Sequence, residues 1–293
     1  MKLLITGSHG QLGNELTKML STGKSEIGDI PAQCLSAEVV AVDVDSLDIT
    51  DTDAVIAFVN EHKPDVIINC AAMTNVDGCE TEVKLAYAVN ADGVRNLAVA
   101  AEKINAKFIN VSTDYVFAGN GTQPYMEWDL CAPNTVYGKS KRLGEEYTLH
   151  FCKRSFVVRT SWLYGYIGKN FVKTIRRVAK ANDEIKVVCD QRGNPTNAND
   201  LAHHILKLCV TEKYGIYHCT GEGECSWHDF AAKIVELSGI DCNVLACTTE
   251  EYGNKTPRPA YSSLSKLALD CAVGNQMRQW EDALKQYIQN VED

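Results

Sequence analysis

Lys2-Leu3-Leu4-Ile5-Thr6-Gly7-Ser8-His9-Gly10-Gln11-Leu12-Gly13 is a short apolar run followed at once by three glycines. Leu12, Leu16, Met19 and Leu20 then recur at helical spacing. The glycines therefore lie at a strand-to-helix turn. Such a turn lets backbone approach a pyrophosphate closely and aims a helix N-terminus at its charge. The pattern G-x-x-G-x-x-G is one residue longer at its start than the usual G-x-G-x-x-G. Its position directly after the first strand gives it weight.

The chain continues by alternation. Val39-Val40-Ala41-Val42-Asp43 reads as a second strand ending in an acid. Residues 23–37, with Gly, Ser, Pro, Gln and Cys, read as a loop insertion between the two. Asp51 to His62 is a predicted helix, and Pro64–Asn69 a third strand. The small residues Cys70-Ala71-Ala72-Met73-Thr74 at its end let a flat cofactor lie against backbone. A long helical pattern from Val83 to Ala101 leads to a fourth strand, Lys107–Val111. Phe156–Arg159 is the fifth. Strands alternating with helices predict an α/β fold, a Rossmann-type doubly wound parallel sheet with right-handed crossovers. Ligands bind such sheets at the carboxyl ends of the strands.

Three segments place reactive groups at those ends. Ser112-Thr113-Asp114-Tyr115-Val116-Phe117 follows the fourth strand and Thr160-Ser161-Trp162-Leu163-Tyr164-Gly165 the fifth. Between them, a helix from Tyr137 to about Phe151 carries Tyr137 and Lys141 on one face. A free phenol titrates near pH ~10. A neighbouring ammonium favours the phenolate and makes a proton donor usable near neutrality. Tyr-x-x-x-Lys alone is common on solvated helices; a hydroxyl, a phenol and an ammonium converging near one nicotinamide position are not.

Composition limits the alternatives. Net charge is -9, with no basic stripe, which argues against a nucleic-acid partner. No apolar run reaches the ~18 residues of a membrane span, and Met1 leads straight into the first strand rather than a signal peptide. The twelve cysteines are scattered singly, without C-x-x-C. They read as reduced thiols in a cytoplasmic protein. His203-His204 has no nearby cysteine, so no metal site is expected. The acid Asp43, followed by Asp45 and Asp48 and by no close Lys or Arg, suits a free ribose hydroxyl and repels a 2′-phosphate. That favours NADH over NADPH.

The second half reads as mainly substrate-binding. Residues 1–160 are expected to form the dinucleotide-binding domain and 161–293 the smaller C-terminal one, with possible interleaving. Asn170 to Lys180 is a predicted helix and Val187-Val188 a short strand. Asn199 to Val210 is a helix capped by Asn199 or Asp200, and Ser226 caps another. Thr256-Pro257-Arg258-Pro259 is irregular. Trp280, Leu284, Tyr287, Ile288 and Val291 form a core stripe on a last helix.

Gly7–Gly13, Pro64–Asp77, Asn90, STDYVF at 112–117, VYGKSK at 136–141, RTSWLY at 159–164, Asn170-Phe171, DQRGNPT at 190–196, Tyr217-His218 and Trp227-His228 together resemble the extended short-chain dehydrogenase/reductase family. The matches span most of the chain. Departures are the 23–37 insertion and Cys70-Ala71-Ala72-Met73 where alanines and a His are expected.

The resemblance implies NAD(P)H-dependent reduction of the C4 keto group of dTDP-4-dehydro-L-rhamnose, the last step of dTDP-rhamnose biosynthesis. Tyr137 would donate the proton. Lys141 would lower its pKa and hold the cofactor ribose, and Thr113 would polarise the carbonyl. Cofactor contacts carry over onto Gly7, Gly10, Gln11, Leu12 and Gly13 at the turn, onto Asp43, Asp48 and Ile49 beside the adenosine, and onto Tyr137 and Lys141. Ala71, Ala72, Met73 and Thr74 would wall the same groove. Substrate contacts carry over onto Thr113, Asp114 and Trp162, with Asn170 a candidate for the nucleotide and Arg258 for the diphosphate. An epimerase or dehydratase on the same scaffold, or a non-catalytic regulatory subunit, stays open. Asp114-Tyr115, lacking Glu after Asp114, weakens the dehydratase. An isologous dimer is the default assembly.

Overall fold

The computed structural model describes residues 1–253 and 256–291. Six parallel strands form the main sheet: β1 Lys2–Thr6, β2 Glu38–Val42, β3 Val66–Asn69, β4 Lys107–Thr113, β5 Ser155–Thr160 and β6 Gly215–His218. Their spatial order is β2-β1-β3-β4-β5-β6, so the chain reverses direction across the sheet between β1 and β3. A crevice outside the strand ends at such a reversal is where ligands bind. Burial on both faces explains the unbroken apolar runs of β3 and β5.

Helices cover both faces. α1 (Gln11–Thr22) and α6 (Ala198–Cys209) pack on one side through Leu12, Leu16, Met19, Leu201, Ile205 and Leu208. On the other lie α2 (Thr52–His62) and α3 (Val94–Lys103), through Val55, Val59, Leu97 and Ala101. α4 (Val136–Phe151) packs beside α3. The glycines of the first turn are set by close approach. Gly7 has φ 65°, and a Cβ there would stand 2.6 Å from the Ala71 nitrogen; one on Gly13 would stand 2.3 Å from the Gly7 oxygen. The turn is thereby drawn against the end of β3.

The rest of the second half builds a smaller layer. α5 (Phe171–Ala179), α7 (Trp227–Leu237) and α8 (Trp280–Asn290) enclose a core with Tyr164, Phe230, Trp280, Leu284 and Tyr287. The expected strand at Val187-Val188 runs from Glu184 to Val188 and pairs with Asn243–Cys247, a strand the sequence reading missed. α6 and β6, and later Leu269 and Met277, lie past residue 160 yet return to the core of the main sheet, so the chain crosses the expected division repeatedly.

Three further local expectations are corrected. Residues 23–37 are not a bare loop: Lys24–Ser25 pairs with Gly28–Asp29, and buried Ile30 and Cys34 anchor the segment in the core. The helical stretch from Val83 to Lys103 contains a π turn at Ala88–Gly93. α6 is capped by Asn197, whose side chain accepts the Asn199 N–H, because tertiary partners claim the neighbouring side chains. Asn199 donates to Glu15 at 3.0 Å, and Asp200 pairs with Arg278.

Candidate active site

Two cavities meet at the reversal of the sheet. The first, about 410 Å³, lies beside Gly7, Gly10, Asp43, Asp48, Ile49 and the Ala71–Met73 segment. The Asp43 carboxylate accepts the His9 N–H at 2.9 Å and the Val44 N–H at 2.8 Å, fixing the second strand's end to the glycine-rich turn. Asp48 accepts from the Thr50 N–H at 2.9 Å and its hydroxyl at 2.8 Å. The wall at residues 71–73 is held from behind by fully buried Asn90, whose oxygen accepts the Met73 N–H at 2.8 Å. Its amide donates to the Met73 carbonyl at 3.0 Å and the Ser140 hydroxyl at 3.1 Å. The π turn delivers this side chain inward, a common use of such turns.

The second cavity, about 590 Å³, shares Gly7, Gly10, Cys70 and Ala72 with the first, so the groove is continuous. Gln11, Leu12, Gly13 and Thr74 line one end, and Thr113, Asp114, Tyr137, Lys141 and Trp162 the other. Thr113 is the last residue of β4. Tyr137 is the second residue of α4, a helix opened by Thr135, which accepts the Gly138 N–H at 3.0 Å. Strand end and helix start thus bring these side chains to one cavity. The glycine-rich turn lines the groove at the N-terminal end of α1, where a pyrophosphate is favoured, so the groove fits a dinucleotide.

The groups that set Tyr137 and Lys141 differ. Burial raises the phenol above its ordinary range, opposed by a hydrogen bond with Thr113. The buried Lys141 ammonium is turned to the Val111 carbonyl, 2.7 Å away. Desolvation pushes Lys141 down to about 8, against the pull of Glu145 one turn on. Glu145 itself is held ionised by bidentate contact with buried Arg159, 2.8 Å from each carboxylate oxygen, and accepts the Ser112 hydroxyl at 2.6 Å. Asp114 is buried and accepts the Thr113 hydroxyl at 2.8 Å; burial lifts its carboxyl to about 6, with Ser262 and Thr113 pulling the other way.

Trp162 has φ 47°, unusual for a bulky residue. Its indole stacks on Trp227 with centroids 3.5 Å apart and planes 8° from parallel. The stacked pair lines the cleft, which gives Trp227 a place its sequence motif does not specify. Asn170 is not available to a nucleotide. It caps α5 by accepting the Lys173 N–H, and its amide donates to the Gly165 carbonyl at 2.8 Å and Gln11 at 3.1 Å. Arg258 pairs with Asp77 at 2.9 Å, in a recess that shares Tyr115 with the cleft. Lys169, at the exposed mouth, is a lining residue the sequence reading did not foresee. Among the described residues no group of three or more His, Cys, Asp or Glu could hold a metal, and no helix is long and apolar enough to cross a membrane.

A phenol, a hydroxyl and a buried ammonium at the end of a dinucleotide-shaped groove, on a doubly wound sheet, are the equipment of a Rossmann-type oxidoreductase. The chain belongs to the RmlD substrate binding domain family, whose model matches residues 1–293. It is 45% identical to the spore coat polysaccharide biosynthesis protein SpsK of Bacillus subtilis, over 98% of this chain and 97% of that one. A dTDP-4-dehydrorhamnose reductase from Clostridium acetobutylicum shares 47% identity and a TM-score of 0.93, with 99% of each chain covered. One from Bacillus anthracis, solved in complex with NADP, shares 41% identity and a TM-score of 0.93, again over 99% of each. A dTDP-glucose 4,6-dehydratase from Streptomyces venezuelae, 18% identical with a TM-score of 0.81, shares the fold alone.

Proposed function

We propose that the chain reduces the C4 keto group of dTDP-4-dehydro-L-rhamnose to give dTDP-L-rhamnose, using NAD(P)H. The observation that carries the reading is the meeting of Thr113, Tyr137 and Lys141 with the glycine-rich turn in one groove. The nicotinamide cofactor supplies the hydride. Gly7, Gly10 and Gly13 receive its pyrophosphate, Ala71 to Thr74 wall its adenosine side, and Asp43 and Asp48 lie toward the ribose. Tyr137 protonates the alkoxide as it forms, which contributes roughly 10²–10⁴-fold. Lys141 holds the ribose hydroxyls, and its charge beside the phenol favours the transient phenolate once the proton has left. Thr113 turns its single hydroxyl proton from Asp114 to the keto oxygen when the sugar is bound.

Asp114 holds the Thr113 hydroxyl, and the Trp162–Trp227 stack offers a flat face to the deoxysugar. Lys169 and Arg258 provide positive charge for the diphosphates. One Arg258 nitrogen is buried without a hydrogen-bond partner among the described residues, which supports a ligand contact there. Among the described residues the groove's adenosine side has no Lys or Arg in its lining, which supports a modest NADH preference, while the Bacillus anthracis relative's NADP supports use of both. The twelve cysteines are free thiols, in keeping with a reducing cytoplasm. An isologous dimer is our expectation, read by light scattering.

The test is stoichiometry. One cofactor oxidised for each keto sugar consumed, with dTDP-L-rhamnose as product, supports the reading. An epimerase or dehydratase would turn substrate over without net cofactor consumption, and a binding subunit would not turn it over at all.

A further inference from the structure

Thr113 ends β4 and Thr160 ends β5, and the two are register partners on neighbouring parallel strands. Both line the same cavity. Their hydroxyls are in different situations. Thr113 Oγ1 donates to Asp114 at 2.8 Å and accepts the Tyr115 N–H at 3.2 Å. Thr160 is 7% exposed, and its hydroxyl is buried with no hydrogen-bond partner among the described residues. Other hydroxyls at the ends of β1, β4 and β5 are used, and Thr220 past β6, also unpartnered among the described residues, does not line the cavity. Thr6 donates to Asn69 at 2.6 Å, Ser112 to Glu145 at 2.6 Å, and Ser161 to the Asn194 carbonyl at 2.7 Å.

A buried hydroxyl without a partner is destabilising, and valine has the same shape without that penalty. Thr160 is therefore better explained by what enters the cavity than by packing. Adjacent strands lie about 4.8 Å apart, so Thr160 stands one strand away from the hydroxyl assigned to the keto oxygen. At that distance the polar groups of the reacting pair are the nicotinamide carboxamide and the oxygens of the sugar.

We propose that Thr160 is a further ligand-binding residue, whose hydroxyl hydrogen-bonds one of those groups. The proposal rests on the reductase reading and adds a residue to it. Removing the hydroxyl would leave the bound polar group without its partner, which weakens binding.

The experiment compares wild type with Thr160→Val and Thr160→Ser. Three quantities are read: the melting temperature of the free protein, the Kd for NADH from fluorescence titration, and kcat/KM for dTDP-4-dehydro-L-rhamnose at saturating NADH. The valine variant is expected to melt at or above the wild-type temperature. It should lose on the order of 10–100-fold in NADH affinity or in kcat/KM, while the serine variant stays near wild type. A weaker Kd assigns the carboxamide; a lower kcat/KM with unchanged Kd assigns the sugar. A valine variant with wild-type Kd and kcat/KM would overturn the proposal and leave the reductase reading standing. So would a valine variant that melts several degrees lower, since the hydroxyl would then serve the fold. Wild type that binds NADH but leaves the keto sugar unreduced would sink the reductase reading, and the Kd arm would still decide the carboxamide contact.

Discussion

The Lys141 ammonium lies 2.7 Å from the carbonyl oxygen of Val111, two residues before Thr113 on β4. This bond ties the helix bearing Tyr137 to the strand bearing Thr113, and it keeps a charge in a buried place. Burial lowers Lys141 from 10.5 to about 8. The charged form therefore dominates below about 8 and is lost above it. If that charge holds the ribose and favours the phenolate, kcat/KM falls as pH rises through about 8. Lys141→Met should be much less active and should lack this alkaline limb. A wild-type profile flat to pH ~10, the ordinary lysine range, would contradict the assignment.

Asp114 sets the acid side. Its carboxyl is raised from 3.8 to about 6, mainly by burial. The folded protein thus holds this proton more tightly than the unfolded chain does. Ionising it costs stability that is absent below about 3.8, grows as pH rises, and is fully present above about 6. Asp114→Asn should therefore melt higher than wild type at neutral pH, with the advantage shrinking toward pH 3.8. Its kcat/KM should be lower, and the acid limb near 6 should disappear. Thermal melts across pH, paired with a rate profile, check both.

Gly193 reaches the site through Trp162. A Cβ on Gly193 would stand 2.7 Å from Trp162 Cε2, too close for the indole to keep its place on Trp227. Gly193→Ala should raise KM for the sugar nucleotide several-fold and leave NADH affinity nearly unchanged. Equal losses in both would show that the stack does not act on the sugar side.

Asn90 supports the cofactor wall without touching the groove's reactive end. Asn90→Ala removes three hydrogen bonds and strands the Met73 N–H. A stability loss of about 1–3 kcal/mol is expected for a buried group left unpaired. The Kd for NADH should rise more than KM for the sugar. Chemical denaturation and fluorescence titration separate the two effects.

Local patterns were the legible part. β1 with its glycine turn, the strand ends carrying Thr113 and Trp162, and the helical pairing of Tyr137 with Lys141 depend on residues close in sequence. Misread features depend on distant partners. Asn170 looked like a nucleotide ligand, but Gln11 and Gly165 occupy its amide. Asn199 and Asp200 are as good caps as Asn197 by residue type; Glu15 and Arg278 decided among them. The Asn243–Cys247 strand is mostly exposed, so its apolar pattern was weak. The Lys141–Tyr137 spacing was right, but spacing does not reveal that a carbonyl claims the ammonium.

The most direct test is a single-turnover measurement of NADH oxidation by dTDP-4-dehydro-L-rhamnose, with wild type and Tyr137→Phe side by side. The account predicts stoichiometric oxidation by wild type, a rate lower by roughly 10²-fold or more in the variant, and the same NADH affinity in both. A Tyr137→Phe variant that binds NADH normally and reduces the keto sugar at the wild-type rate would contradict the claim that Tyr137 delivers the proton.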